Sequence, residues 1–255
     1  MSAGPAVLTI RDLSKAFGGL LAVDRCTFDV MPRQITGLIG PNGAGKTTIF
    51  NLMTGFLRAD GGSIRLGDRE ILGEPPHVVE RLGLVRTFQH LRLWNKMTVL
   101  DNVLLGCRTP LGENVLSLFA WPGRVRTEET AAREHALGAL EFFNLAARAH
   151  EVVEDLSYPE QKLLSMARIV ATDASVLLLD EPTSGLDSES LQRIVPLVRG
   201  LVQRGKTVLL IEHNMELISE LSDEVVFLHQ GHVLARGKPA DITRDPTLTE
   251  IYFGS

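Results

Sequence analysis

The chain has 255 residues, of which 44% are hydrophobic and 22% charged, and its formal net charge is −5. This composition is ordinary for a globular protein with a large core, and the charge gives no global attraction to nucleic acid or anionic lipid. Cys26 and Cys107 are the only cysteines, too few and too isolated for a disulfide framework or a zinc site. Arg11 and Asp12 fall where a signal peptide needs an apolar core, and no apolar run approaches the roughly 20 residues of a membrane span.

The first predicted elements are two β-rich stretches that look antiparallel, AVLTIRDL at 6–13 and CTFDVMP at 26–32. Three later runs, ITGLIG at 35–40, SVLLLD at 175–180 and TVLLIE at 207–212, are almost continuously apolar. Each of these three leads into a polar or glycine-containing loop, which is typical of strands buried on both faces. We therefore expect a mostly parallel sheet accompanied by an antiparallel part.

Helical patterns alternate with the buried strands. KTTIFNLMTG, which follows the run at 35–40, places Ile49, Leu52 and Met53 on one face and ends at Gly55. KLLSMARIVAT carries apolar residues at helical spacing, on Leu163, Met166, Ala167 and Val170. Strands that alternate with helices predict an α/β fold in which a parallel sheet is covered on both sides.

Two further segments depart from the parallel pattern. Residues from about 90 to 165 contain no convincing strand but several helical stretches, such as TVLDNVLLG and EETAAREHALGALEFFNLA. We predict a helical subdomain there, inserted into a single domain that covers residues 1–255. The segment EVVFLHQGHVLARG at 224–237 looks antiparallel and predicts a hairpin that turns at Gln230 and Gly231.

The stretch GPNGAGKTT at 40–48 matches the phosphate-loop pattern G-x-x-x-x-G-K-[ST] at every position and lies between a predicted strand and a predicted helix. Gly43 and Gly45 allow the backbone to curl, so that successive N–H groups point at phosphate oxygens. Lys46 neutralises the β- and γ-phosphates and Thr47 offers its hydroxyl to Mg²⁺. A chance glycine-rich turn is the alternative, and the flanking elements disfavour it. The predicted nucleotide-binding residues are Gly40, Pro41, Asn42, Gly43, Ala44, Gly45, Lys46, Thr47 and Thr48.

A phosphate loop needs a carboxylate at the end of a neighbouring strand, and VLLLDEP at 176–182 supplies one. Asp180 follows four apolar residues and is predicted to hold Mg²⁺ through water. Glu181 is placed to accept a proton from an attacking water. Two solvated acids at a strand end are common, but this pair follows a phosphate loop about 140 residues upstream, which disfavours that interpretation.

The order of these motifs resembles the ATP-binding cassette of ABC transporters over essentially the whole chain. This resemblance implies ATP and Mg²⁺ as ligands, ATP hydrolysis, and an α/β P-loop fold with an antiparallel β subdomain and a helical subdomain. Phe17 matches the aromatic residue that stacks on adenine, and Gln89 in RTFQH matches the glutamine that contacts magnesium and senses the membrane subunit. Asp187 in SGLD matches the loop that crosses the dimer interface, and His213 in LLIEHN matches the switch histidine that orients the water. The catalytic set implied is Lys46, Gln89, Glu181 and His213, with Thr47, Gln89 and Asp180 around the metal.

A finer likeness joins the chain to the ATPase subunits of branched-chain-amino-acid importers. It rests on FGGLLAVD, VRTFQHLRLW, MTVLDNV, IEHNMELI and the final TEIYFGS. That subfamily also serves amides, urea and small organic acids, and it usually pairs two different ATPase subunits. The likeness implies a second ATPase subunit, membrane permease subunits and, indirectly, an external solute-binding protein, at the cytoplasmic face of the membrane and without nucleic acid.

The segment DLSYPEQK at 155–162 departs from the family signature Leu-Ser-Gly-Gly-Gln. In the family this segment presents a serine hydroxyl, a backbone N–H and a helix N-terminus to the γ-phosphate held by the opposite subunit, which implies that role for Ser157 and Tyr158. Pro159 removes one backbone donor, while Ser157-x-x-Glu160 still predicts a capping box at a helix start. We expect either a slower composite site or one rescued by Ser157, the following N–H groups or a fuller signature on a partner subunit.

These features predict the ATP-hydrolysing subunit of an importer for branched-chain-type amino acids or related small polar solutes. Two alternatives stay open: a soluble ABC-type ATPase outside transport, and a weakly hydrolysing regulatory partner in a heterodimer. The sequence names neither the solute nor the choice between homodimer and heterodimer.

Overall fold

The computed structural model describes residues 5–88, 91–107 and 122–253. These residues form two compact units. The first contains 5–88, 175–185 and 191–253, and the second contains 91–107, 122–174 and 186–190. Within the described residues, no helix combines the length and the apolar character that crossing a membrane requires.

The first unit contains an antiparallel sheet in the order β2-β1-β4-β5. The first two strands are the predicted antiparallel stretches, and they pair directly with each other. Leu8, Ile10 and Leu13 point into the core from β1 and are fully buried, because side chains on one face of a strand recur at every second position until a register shift moves the phase. The strands of this sheet are β1 (Leu8–Phe17), β2 (Leu20–Val30), β4 (Gly61–Leu66) and β5 (Arg69–Glu70).

The same unit contains a six-stranded sheet in the order β10-β9-β3-β8-β7-β6. All residues of β3, β7 and β8 are buried, which explains why these strands are apolar without alternation. The strands are β3 (Ile35–Ile39), β6 (Leu84–Arg86), β7 (Val176–Asp180), β8 (Thr207–Ile211), β9 (Glu224–His229) and β10 (His232–Gly237).

The predicted hairpin at Gln230 and Gly231 is present, since β9 and β10 pair antiparallel. The expectation that the whole segment leaves the parallel pattern is wrong for β9, because β9 also pairs parallel with β3. Only β10, at the edge, is antiparallel. The hairpin therefore extends the parallel sheet by one antiparallel edge strand.

The helices follow in chain order. The first carries the predicted face, since Ile49, Leu52 and Met53 are buried, and Gly55 follows it with a positive φ of 72°. The α-helices of the described residues are α1 (Lys46–Met53), α2 (Pro76–Arg81), α3 (Val99–Leu104), α4 (Pro122–Phe142), α5 (Tyr158–Val170), α6 (Ser188–Gln203), α7 (Met215–Leu221), α8 (Pro239–Arg244) and α9 (Pro246–Phe253).

The second unit is built mainly from α3, α4 and α5, as predicted for a helical subdomain. The structure gives it a wider extent than 90–165, since it continues to residue 174 and includes 186–190. The helical spacing predicted for Leu163, Met166, Ala167 and Val170 is confirmed by α5, in which the last three are buried and Leu163 is half-buried. The apolar side chains buried on α5 are Leu164, Met166, Ala167, Ile169 and Val170.

Candidate active site

The loop at 40–48 joins β3 to α1. Its backbone turns through conformations that only glycine adopts easily. Gly40 and Gly45 have φ values of 147° and 103°. A Cβ on Gly40 would lie 2.1 Å from the carbonyl oxygen of Leu228, and one on Gly45 would lie 2.4 Å from that of Ala22. Both positions therefore need glycine, because there is no room for a Cβ atom and because the backbone angle φ is positive. Gly43 also has a positive φ, of 80°, but nothing lies near its missing Cβ.

Helix α1 begins without a side-chain cap. Its N-cap residue is Gly45, and its first turn contains no acidic side chain. The first N–H groups of a helix have no acceptor within the helix, and the helix dipole places partial positive charge there. This start is therefore suited to an anion supplied from outside the chain.

Lys46, the first residue of α1, carries a buried cation into the loop. Its Nζ atom donates hydrogen bonds to the carbonyl oxygens of Gly40, at 2.6 Å, and Pro41, at 2.9 Å. Burial lowers the pKa of the Lys46 ammonium, and the negative charges of Glu181 and Asp180 oppose that lowering. An anionic ligand would offset the desolvation of this ammonium, as phosphate groups do.

Asp180 ends β7, and its side chain is only 3% exposed. Its backbone N–H donates to Thr87 Oγ1 at 3.0 Å, and its Oδ2 accepts from Arg86 Nη2 at 2.5 Å. Among the described residues no cluster of three or more His, Cys, Asp or Glu side chains forms a metal site. One carboxylate and the exposed hydroxyl of Thr47 suit Mg²⁺, which keeps waters and takes substrate phosphates as its remaining ligands.

Glu181 and His213 contact each other across the ends of β7 and β8. His213 Nε2 lies 2.7 Å from Glu181 Oε1. The imidazole is 43% exposed and the carboxylate 15%, so both groups remain accessible from solvent. Glu181 has a φ of 48°, a left-handed conformation that is uncommon for a side chain of this size. The bond from Glu181 N–H to the Ile211 carbonyl oxygen, at 2.9 Å, holds this conformation.

Glu212 ties the loops after β7 and β8 to each other. Its Oε1 accepts from the N–H of Thr183 at 2.9 Å and from the Thr183 hydroxyl at 2.5 Å. Its Oε2 accepts from the N–H of His213 at 3.2 Å. Burial raises the pKa of Glu212, while these hydrogen bonds act in the opposite direction. The hydroxyl of Tyr252, on α9, adds a bond to the His213 carbonyl oxygen at 2.9 Å, so the backbone of His213 is held at both its N–H and its C=O.

Phe17, at the end of β1, is 48% exposed. Its ring lies 5.6 Å from Lys15 Nζ, and Lys15 in turn pairs with Asp60. An aromatic side chain of this exposure offers a flat surface for stacking. Stacking on an adenine ring stays a prediction for Phe17.

The chain matches known proteins over nearly all of its length. The family model described as "ABC transporter" matches residues 23–184, which is more than half of the chain. The high-affinity branched-chain amino acid transport ATP-binding protein BraF of Pseudomonas aeruginosa is 41% identical over 250 residues, covering 97% of this chain and 98% of BraF. The protein of the same description in Escherichia coli, LivG, is 38% identical over 249 residues, with 97% and 98% covered. The chain belongs to the ABC transporter family.

Solved structures agree with this assignment. A nucleotide-free ATP-binding cassette from an ABC transporter superposes with a TM-score of 0.85 at 32% identity, covering 98% of this chain and all of the other. A second cassette, in its ADP conformation, also gives 0.85 at 30% identity, with 99% and 100% covered. The chain is therefore an ATP-binding cassette with the predicted α/β P-loop fold, and cassettes of this family are ATPases.

Some of the predicted site residues of the cassette meet, and others are placed elsewhere or lie outside the described residues. The loop 40–48, Asp180, Glu181 and His213 meet in the first unit, at the carboxyl ends of parallel strands. Gln89 lies outside the described residues, so its predicted contact with metal has no structural account. Asp187 accepts a hydrogen bond from the N–H of Ser190 at 2.8 Å, which makes it a local capping residue of α6. Its place at a dimer interface stays a prediction.

The signature segment of the cassette begins α5 with the predicted capping box, from Ser157 to Glu160. Glu160 Oε2 accepts from the Ser157 N–H at 2.8 Å and from the Ser157 hydroxyl at 2.6 Å. Arg148 donates to the other carboxylate oxygen at 2.6 Å. Pro159 fits the first turn without disturbing it. The hydroxyl of Ser157 is therefore engaged by a carboxylate of its own chain.

Sequence reasoning assigned no role to three residues of the site, which are Arg86, Glu212 and Tyr252. Each contacts an assigned residue, since Arg86 binds Asp180, and Glu212 and Tyr252 bind the backbone of His213. The sequence carried a signal for Arg86 and Glu212, because each is a charged residue at the end of an apolar run. Tyr252 gave no such signal, because it lies within a helix and not at the end of an apolar run.

Proposed function

We propose that this cassette is the ATP-hydrolysing subunit of an importer for branched-chain-type amino acids or related small polar solutes. The observation that carries the proposal is the near-complete length over which BraF and LivG are similar to it, at 41% and 38% identity. Both are described as branched-chain amino acid transport ATP-binding proteins. The loop at 40–48, with an uncapped helix start and a desolvated ammonium, fits the triphosphate of ATP.

The hydrolytic roles follow from the geometry of the first unit. Glu181 is the general base, because its carboxylate is accessible and contacts His213 at the carboxyl ends of the parallel strands. His213 orients the attacking water beside that carboxylate, and Lys46 holds the β- and γ-phosphates. Thr47, Asp180 and Gln89 are the proposed metal residues. When bound, Mg²⁺ neutralises charge on the phosphate oxygens.

The proposed partners are a second ATPase subunit, identical or different, and membrane permease subunits, with an external solute-binding protein acting through the permeases. Nucleic acid has no place in this function. The cassette would work at the cytoplasmic face of the membrane, held there by its permeases. Ser157, Tyr158 and Asp187 are the residues proposed to face the second ATPase subunit, and Phe17 stacks on the adenine.

A second candidate is a weakly hydrolysing partner in a heterodimer. The observation that favours it is the signature segment, in which Pro159 lacks an N–H and Glu160 occupies the hydroxyl of Ser157. In such a pair, a partner subunit with a full signature would complete the productive site. A soluble ATPase outside transport is the remaining alternative.

Solute uptake in the native host tests the proposal. A strain that lacks the gene is complemented with wild type or with Glu181→Gln, and uptake of labelled leucine, isoleucine, valine, urea and a short amide is measured. We expect wild type to restore at least one of these solutes and Glu181→Gln to restore none. Unimpaired uptake of every solute in the deletion strain would contradict the importer role.

The purified complex separates the alternatives. Co-purification of membrane proteins with the tagged cassette supports transport, and their absence supports the soluble ATPase. If the complex contains a second cassette, turnover is measured with Glu181→Gln placed here and the equivalent change placed in the partner. Because a full signature on the partner would complete the site built on the phosphate loop of this chain, the asymmetric pair predicts a large effect of Glu181→Gln in this chain and little effect of the equivalent change in the partner.

A further inference from the structure

Arg86, the last residue of β6, makes the closest polar contact to Asp180. Their strands are neighbours and pair parallel, so both side chains leave the same edge of the sheet. Arg86 Nη2 lies 2.5 Å from Asp180 Oδ2, and the two side chains are 5% and 3% exposed. The pair is therefore a desolvated ion pair rather than a surface contact.

The surroundings fix the guanidinium in place. Arg86 Nη1 donates to Asn51 Oδ1, on α1, at 2.6 Å. The rings of Phe50 and Phe88 lie on the guanidinium, each with its centre 5.3 Å from the Arg86 carbon that joins the nitrogens. Arg86 Nε is buried without a hydrogen-bond partner among the described residues. A planar cation held by one carboxylate, one amide and two rings has little freedom to withdraw.

We propose that Arg86 is the resident counter-cation of Asp180, and that it prevents this carboxylate from binding a divalent metal ion until nucleotide phosphates arrive. A buried carboxylate without a partner attracts a divalent cation strongly, because the local dielectric is low. Paired with Arg86, it is neutralised and has one oxygen occupied. The phosphates supply the extra negative charge and the extra ligands that Mg²⁺ needs. Metal loading then depends on the nucleotide, and Arg86 is the positioning residue that causes this dependence.

This inference rests on the metal role proposed for Asp180. A purely structural role for Arg86 predicts a different result, because a side chain that only fills space between Phe50 and Phe88 has no influence on metal affinity. A variant with an apolar side chain of similar length would then bind metal with the same affinity as wild type. Metal affinity without nucleotide therefore separates the two roles.

Binding of Mn²⁺ to the nucleotide-free full chain, followed by the electron paramagnetic resonance of free Mn²⁺, is the test. We expect wild type and Asp180→Asn to give the same weak isotherm. Arg86→Met should bind Mn²⁺ at least about tenfold more tightly, which corresponds to ~1.4 kcal/mol, and the added Asp180→Asn change should remove this gain. Arg86→Lys keeps the charge and should stay close to wild type, as should Arg81→Gln on the exposed end of α2.

An unchanged Mn²⁺ isotherm for Arg86→Met overturns the proposal, even if its unfolding temperature falls. Should Arg86→Met fail to fold, wild type against Asp180→Asn decides. A tight site in the nucleotide-free wild type that disappears in Asp180→Asn overturns the proposal, and coincident isotherms support it. The metal role of Asp180 is checked apart from this, with ATP present. If Asp180→Asn leaves the affinity for Mn²⁺ with ATP unchanged, the assignment of Asp180 to the metal is itself wrong.

Discussion

Helices α1 and α5 both begin at sequence motifs of this family, but they treat their first N–H groups in opposite ways. Helix α1 starts at Gly45, without a side-chain cap and without an acid in its first turn. Helix α5 starts at Ser157 and has Glu160 at the third position, where its carboxylate closes a capping box. One helix start carries no anion of its own chain, and the other holds the Glu160 carboxylate on the N–H and the hydroxyl of Ser157.

Capping and ligand binding therefore compete for the same groups at the start of a helix. A carboxylate in the first turn stabilises a helix through hydrogen bonds and the dipole, but it also repels any phosphate brought near. On α5, partial burial raises the pKa of Glu160, and the bonds from Ser157 and Arg148 outweigh this and lower it. Glu160 is therefore an anion at neutral pH. Its charge is balanced by Arg148, not by a ligand.

The largest effect is expected at the site that α1 and the end of β7 form, where hydrolysis is proposed to occur. Glu181→Gln removes the proposed base and should lower turnover by roughly 10²- to 10⁴-fold, the usual contribution of a general base. ATP affinity should stay near that of wild type, because the loop at 40–48 is intact. Steady-state phosphate release and equilibrium ATP binding measure the two quantities. Turnover within a factor of two or so of wild type rules out Glu181 as the base.

The open helix start is tested by removing its cation. Lys46→Ala should weaken ATP binding by about 1.5–3 kcal/mol, the range for a hydrogen bond to a charged group, or roughly 10- to 150-fold in Kd. Isothermal titration calorimetry measures the affinity, and Lys238→Ala, on an exposed lysine of the same unit, is the control. An unchanged Kd for Lys46→Ala would show that this ammonium serves only the loop carbonyls.

Competition between capping and phosphate binding is tested by giving α1 the acid that α5 has. Thr48 is the third residue of α1, so Thr48→Glu reproduces the position of Glu160. The helix should gain about 0.3–1 kcal/mol from the dipole, while ATP affinity should fall at least about tenfold through repulsion of the phosphates. Thr48→Gln is the neutral control. If Thr48→Glu binds ATP as well as Thr48→Gln does, capping and phosphate binding do not compete at this site.

The smallest effect is expected from neutralising the acid on α5. Glu160→Gln keeps an acceptor for Ser157 but loses the charge that pairs with Arg148, so it should lower the free energy of unfolding by about 0.2–1 kcal/mol. Because folding lowers the pKa of Glu160, its stabilisation is present above the ordinary Glu pKa and is lost as pH falls through the lowered value. The difference between variant and wild type should therefore shrink in acid. Urea unfolding at neutral pH and at pH ~3 measures this, with Glu141→Gln, at an exposed position of α4, as control. A difference that grows in acid would contradict the prediction.

Local sequence determined much of this protein. Buried strands, the glycine-rich turn, the start of α1 and the capping box at Ser157 each depend on residues within a few positions of one another, so pattern and spacing suffice to predict them. The acids at the end of β7 were predicted for the same reason. The wrong expectation came where a neighbouring element decides, as for β9, whose pairing with β3 joins residues almost 190 positions apart.

Only the tertiary structure decided which polar groups meet. Arg86 and Asp180 lie 94 residues apart, Thr183 and Glu212 lie 29 apart, and Tyr252 reaches His213 across 39. No periodicity encodes such pairs, because each partner is locally an ordinary charged or polar residue at an element end. Parallel pairing brings the carboxyl ends of β6, β7 and β8 to one edge of the sheet. Burial at that edge then forces each polar group to find its partner there, because an unpaired charge or hydrogen-bonding group in the interior is strongly disfavoured.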